Sequence, residues 1–427
     1  MITMRKVTTL LCAATIAGLP LAVTAQAAEE TNNTEIIENV QPGEGTPAEE
    51  VKNEDVKVLT LEDVIKRGIE NDQNLTVMQY ELEALKNQTL DVADDKRDAL
   101  NDVRDLEKKL KRLKDQRDRI TDTTKRIING QERIGINDGL EALDDQITSL
   151  ENAIKSLESG QVQLKLQEEE VKEGLSLKLT STYVNLLTLQ KQMDFTKKAV
   201  QSSINDVQKA EKLYKYGAGS KEAIDQAKRE QVNTEKQLEQ QQKNYYHDLA
   251  TLAFDIDVIY NPELQVTPIE MNVTAAAKVE NYNSLIEGSF QMKRAKDNLE
   301  LAKYNRDQAY ADEDATQFEK QENDFKVKAA EETIKQLQKE LTTKIETLNH
   351  NADVSKLNYE ESLRKLEDVK LDLVNLEKRY RLGVVSKYNY EQAKLQLEQS
   401  TLGAELAKSQ YFMVEQSINA LNKGFVQ

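Results

Sequence analysis

Tyr214-Lys-Tyr-Gly217-Ala-Gly-Ser220-Lys-Glu-Ala-Ile-Asp-Gln-Ala227-Lys228 returns 166 residues later, without a gap, as Tyr380-Arg-Leu-Gly383-Val-Val-Ser386-Lys-Tyr-Asn-Tyr-Glu-Gln-Ala393-Lys394. Each copy reads as a sharp turn between two helices. A helix runs into the tyrosine, and glycine takes the left-handed position past the helix end, where a Cβ is penalised. Ser220 and Ser386 then stand where an N-cap is wanted, each with a hydroxyl for a free N–H of the next helix. Lys212, Lys215, Arg379 and Arg381 lie in or near the last turn of the incoming helix, where cations suit the negative end of the macrodipole. One copy is a routine helical hairpin. Two gapless copies between very long helices predict a duplicated architecture with two equivalent tips.

Composition agrees. Of 427 residues, 31% are charged, 5% are aromatic and none is tryptophan, the profile of long solvated helices rather than one thick core. Met1 to Ala27 reads as a secretory signal peptide, with Arg5 and Lys6 before an apolar run and Ala25-Gln-Ala27 as the cleavage pattern. An uncleaved anchor is the alternative, disfavoured by the short run. Cys12, the only cysteine, falls inside this segment, so neither disulfides nor thiolate chemistry are expected in the mature chain. Removing two cations takes the net charge from -17 to -19, and no basic stripe for nucleic acid is apparent.

In chain order, an acidic linker over 28–58, poor in apolar residues, is expected to be disordered. A first helical repeat over 59–260 opens with Leu59-Thr60-Leu61-Glu62-Asp63, Thr60 being the expected N-cap. Within it, 91–157 reads as an inserted coiled-coil hairpin. Leucines at 106, 110 and 113, and an apolar series from Leu140 to Leu157, alternate by threes and fours. Gly130, Gly135 and Gly139 are expected at its tip. Cations crowd the first arm from Lys108 to Arg119 and acids the second, so the arms are expected to attract across the seam. Pro262 and Pro268 mark an inter-repeat linker over 261–270, and a second repeat fills 271–427. Tyr245 and Tyr411 hold equivalent places. No segment alternates like a transmembrane strand, so the expected fold is all-α, built of elongated long-helix hairpins with an internal two-fold repeat and no β-barrel.

From about Leu59 onward the chain resembles the TolC-type outer-membrane efflux family. The entry with Asn71-x-x-Asn74-Leu75, the run Ser181-x-Tyr183-x-Asn185-Leu186-Leu187, and the two Tyr-x-x-Gly-x-x-Ser turns carry the resemblance. It implies a homotrimer, each chain giving two hairpins to a helical tube. Tyr214, Gly217, Ser220, Tyr380, Gly383 and Ser386 would form or shape the tips. These would dock on an adaptor (membrane-fusion) protein serving an exporter of the cytoplasmic membrane, such as an ABC transporter. Two departures stand out. Where the family threads strands through the outer membrane, at 91–157 and about 308–325 here, this chain is helical in character. Where the family often narrows the tube with acids, it has Asn389 and Gln392. A strandless relative is implied, from an organism such as a Gram-positive bacterium, with the tube standing in the extracytoplasmic envelope.

No enzyme signature is present. His247 and His350 lack partners at ligand spacing, and neither a phosphate-cradling glycine loop nor a nucleophile elbow occurs, so no metal, cofactor or catalytic residue is expected. The competing reading is an exported coiled-coil scaffold or regulator of the cell envelope with no transport role.

Overall fold

The computed structural model describes residues 56–271 and 281–427. The signal peptide, Cys12 and the linker up to residue 55 lie outside the described residues. The elements run β1 (Val58–Leu59), α1 (Leu61–Glu70), α2 (Gln73–Arg117), α3 (Thr123–Lys215), α4 (Lys221–Asp255), β2 (Gln265–Val266), α5 (Tyr282–Gly288), α6 (Phe290–Ala311), α7 (Gln317–Arg381) and α8 (Lys387–Asn422). Side chains set the starts. Thr60 accepts from Asp63 N–H, Asp72 from Leu75 N–H, and Thr316 with Glu319 makes a full capping box.

The helices pack in one lateral order. α2 and α4 lie against one side of α3, α6 and α8 against another, and α7 packs on α6 and α8. α2 and α4 meet end to end, where the Asn71 amide donates to the Ile256 carbonyl over 3.3 Å. α6 and α8 meet likewise, with Phe290 N–H donating to the Gly424 carbonyl over 3.0 Å. Two pairs of half-length helices therefore flank continuous ones.

Each junction holds a core. At the first, β1 and β2 form a two-residue parallel pair, Val58 against Gln265 and Leu59 against Val266. Val58, read from composition as linker, is thus part of the ordered body, and the inter-repeat segment is a strand partner. These backbone bonds need no long apolar alternation, so no period-two pattern marks the pair in the sequence. The fully buried Tyr183 ring lies beneath, its hydroxyl 2.9 Å from the Leu59 carbonyl, 2.8 Å from the Thr267 carbonyl and 3.0 Å from Thr267 Oγ1. Leu179, Leu186, Leu249, Leu252 and Ile256 are among the other members of the cluster, each contributing roughly 1.5–3 kcal/mol when fully buried. Burial pushes the Tyr183 phenol up, so the folded state keeps it neutral and loses stability as pH rises past about 10. The second junction gathers Ile286, Met292, Leu341, Ile345, Leu421 and Val426 without a strand.

The glycines at 130, 135 and 139 do not make the hairpin tip. They sit inside α3, and the turn is at 118–122. A lone helical glycine costs only about 1 kcal/mol. The stop signals lie earlier, with Lys114 and Arg117 in the last turn of α2 and Asp122 capping α3 by accepting from Thr124 and Lys125 N–H. The expected attraction of a basic arm for an acidic one fails with it. The basic stretch of α2 now lies beside Lys125 to Arg133, and a cross-arm ion pair, Lys96 to Glu151 at 2.8 Å, sits farther down. α2 has 45 residues against 22 in α6, and α3 has 93 against 65 in α7. The first hairpin is therefore longer by roughly 25 residues per arm, ~37 Å at 1.5 Å each.

Removing the Tyr183 hydroxyl would leave the Thr267 carbonyl short of a donor, while that of Leu59 keeps the Thr267 N–H. Tyr183→Phe is expected to lower unfolding free energy by about 1–3 kcal/mol in urea titration. Gly68→Ala, whose Cβ would collide with the buried Leu179 Cδ1, is expected to cost a similar ~1–3 kcal/mol by overpacking.

Candidate functional site

The two repeated turns are built alike. α3 ends at Tyr216 with Gly217 N–H donating to the Tyr214 carbonyl and Ala218 N–H to that of Leu213; α7 ends at Leu382 with Gly383 to Tyr380 and Val384 to Arg379. Both are Schellman closures. Gly217 has φ +71° and Gly383 φ +73°. A Cβ at either would meet nothing within 4 Å, so backbone handedness and not space selects glycine there. Ser220 accepts from Ala223 N–H at 3.1 Å and Ser386 from Asn389 N–H at 3.2 Å. The six residues singled out in the sequence thus fall at two turns of one geometry.

The turns lie at the same end of the bundle. The Lys209 ammonium, shortly before the first, stands 3.2 Å over the ring of Tyr388, just after the second. Lys198 pairs with Glu398 at 2.8 Å, and the Gln392 amide donates to Ser202 Oγ at 3.0 Å. Gln392 and Asn389, where the resembled family often has acids, are thus a bridge between α3 and α8 and a cap contact.

Their surfaces differ. The first tip exposes Tyr214 and Tyr216, the latter by 80%, while the second exposes Leu382 by 79% and Val384 by 66%. Tyr380 is half-buried and stacks on Tyr390, centroids 4.8 Å apart and planes at 6°. Tyr214 has Ile224 at the equivalent place and no ring to stack on. Burial, with the neighbouring Asp206 carboxylate, pushes the Tyr388 phenol up. This brace of Lys209, Asp206, Tyr388 and Tyr390 was missed in the sequence. Its signal was a break in the repeat: Tyr388 and Tyr390 replace Glu222 and Ile224.

The arrangement offers shape and apolar contact. His247 and His350 are exposed on α4 and α7. Among the described residues no cluster of three His, Cys, Asp or Glu could hold a metal, and no helix is long and apolar enough to cross a membrane. α2 and α3 are joined at 118–122 and α6 and α7 at 312–316, with no strand at either connection.

No protein-family model matches the chain. No curated protein matches it either. Solved structures do. The crystal structure of CusC, described in terms of transmembrane channel formation, superposes with a TM-score of 0.58 at 11% identity over 84% of this chain and 91% of that one. The outer-membrane channel OprN gives 0.55 at 11% identity over 85% and 90%. The open state of the Neisseria gonorrhoeae MtrE outer membrane channel gives 0.53 at 12% over 90% and 99%. At such identities the likeness is one of fold. The chain has the fold of the TolC-type outer-membrane channels, an all-α protomer of the helical-tube kind with no barrel among its described residues.

Proposed function

We propose that this protein is a TolC-like efflux or export component, a non-enzymatic extracytoplasmic conduit of the cell envelope whose two tips dock on an adaptor protein of a transporter. The observation that carries the reading is the pair of turns of identical backbone geometry at one end of the bundle, each presenting large exposed apolar side chains. Tyr214, Gly217, Ser220, Tyr380, Gly383 and Ser386 form or shape the docking surface, and an exporter such as an ABC transporter stands behind the adaptor. The signal peptide over 1–27 directs export, and the acidic segment that follows is a linker ahead of the body. The repeats comprise 59–260 and 271–427, joined by 261–270, with 91–157 as an insertion in the first.

The lateral helix order, with α2 and α4 at one edge and α7 at the other, supports assembly of copies edge to edge, and a homotrimer is the proposed number. Leu357, Leu363, Leu371 and Val374 of α7 are exposed by 41–64%. At 3.6 residues per turn they fall within about a third of the helix circumference. A stripe of that kind on an edge helix fits the opposite edge of a second copy. The rival reading, an exported envelope scaffold that transports nothing, draws on the long first hairpin.

Gly217→Val with Gly383→Val is expected to abolish pull-down of the adaptor while leaving far-UV helicity nearly intact; unchanged pull-down would remove the docking role. Light scattering of the mature protein is expected to give a trimer, and Leu357→Glu with Leu371→Glu to shift it towards monomer. A wild-type chain that stays monomeric or dimeric would favour the scaffold.

A further inference from the structure

The long first hairpin carries its charge in two blocks along its axis. Between residues 108 and 133, spanning the end of α2, the turn and the start of α3, there are ten Lys or Arg and four Asp or Glu, a net of +6 in a chain of net -17. Just below lie 91–107 of α2 and 138–151 of α3, side by side as the contact of Leu106 with Gly139 and the Lys96–Glu151 pair show. Those two segments hold twelve acids and three cations, a net of -9. A basic head therefore sits on an acidic shaft. Among the described residues, Lys108 is the only one of the ten cations in an ion pair, with Asp105 of its own helix. The other nine make no ion pair, and all but the partly buried Arg133 are exposed.

The head is apolar as well. Ile127, Ile128 and Ile134 are exposed by 58%, 51% and 61% at the start of α3. Asn129 and Ile136 turn inward in the same segment, the Asn129 amide donating to the Leu113 carbonyl. Exposed isoleucines among cations at the end of a helical hairpin meet the two requirements for binding a charged interface: attraction to anionic headgroups, and aliphatic groups that enter the acyl boundary.

We propose that the basic head of the α2/α3 hairpin docks onto a membrane surface carrying anionic lipids through the face of α3 that bears the isoleucines. Attraction falls off within a Debye length, about 8–10 Å at physiological salt, so the head feels the surface and the acidic shaft is held away from it. The charge sequence along the axis thus confines contact to the head and keeps the shaft off the surface. A polyanion with no apolar phase would use the cations and leave the isoleucines idle, which is why a lipid surface is favoured. The inference rests on the hairpin alone and survives failure of the conduit reading.

The test is sedimentation of the full chain with phosphatidylcholine vesicles, with and without phosphatidylglycerol. Wild-type protein is expected to gain binding with the anionic lipid and to lose it as salt rises. Lys111→Glu, Arg112→Glu, Lys125→Glu and Arg126→Glu combined should weaken binding to anionic vesicles at least ten-fold. All four side chains are exposed, and circular dichroism checks the fold. Ile127→Ser, Ile128→Ser and Ile134→Ser combined should weaken it several-fold while keeping the salt dependence. Equal binding of wild type and the glutamate variant overturns the proposal. So does equal wild-type affinity for soluble polyphosphate and anionic vesicles with no effect of the serine changes, which would make the head a polyanion site. If the glutamate variant loses helicity, the serine variant and the wild-type salt series decide the same question.

Discussion

One phenolic hydroxyl fixes the level at which the flanking helices change. Tyr183 lies within α3, and its oxygen reaches both segments that enter the first junction: the carbonyl of Leu59 from the start of the body, and the carbonyl and side-chain hydroxyl of Thr267 from between the repeats. A helix of 93 residues offers many equivalent levels for a partner to stop or start, since apolar periodicity alone is nearly translation-invariant. A buried polar group that must find its partners is not. The strand pair and the hydroxyl together set the register of α1, α2 and α4 on α3. The second junction lacks that device. Asn349, at the place of Tyr183 one repeat on, donates instead to the Tyr282 hydroxyl over 2.7 Å. There Gly424, at φ +102°, closes against the Gly288 carbonyl so tightly that a Cβ would stand 2.8 Å from that oxygen.

The duplicated tips show which features of a repeat are held and which drift. Backbone closure is identical in both, because two glycines at positive φ and two capping serines leave little freedom. The surroundings diverge. The second tip is braced by stacked tyrosines and a lysine over a ring, while the first stands open with its tyrosines in solvent. Conformational requirements thus survive where contact requirements change, and a partner meeting both tips meets one shape with two chemistries.

Much of this was legible in the residues. The Tyr-x-x-Gly-x-x-Ser copies, with their positive-φ glycines and capping serines, depend on local rules that act within four residues, and they were readable as such. The equivalence of Tyr245 and Tyr411 was equally visible, and both rings are buried. The hairpin tip is marked by caps and not by glycine. Three tolerated helical glycines stood out more than Asp122 and the cations before it, though the latter carry the stop. The Tyr183 bonds and the β1–β2 pair were beyond reach, since they join segments 84 to 208 residues apart through single atoms.

The continuity of α3 has a mechanical consequence. It runs from the hairpin head through the Tyr183 level to the first tip with no helix break, and the fixed level acts as a fulcrum. From Tyr183 to Thr123 is ~90 Å of rod, and from Tyr183 to Lys215 ~48 Å, at 1.5 Å per residue. A sideways displacement of the far arm would therefore reappear at the near arm reversed in direction and about half as large. Leverage of this kind needs no hinge residue, only a stiff beam with one clamped point.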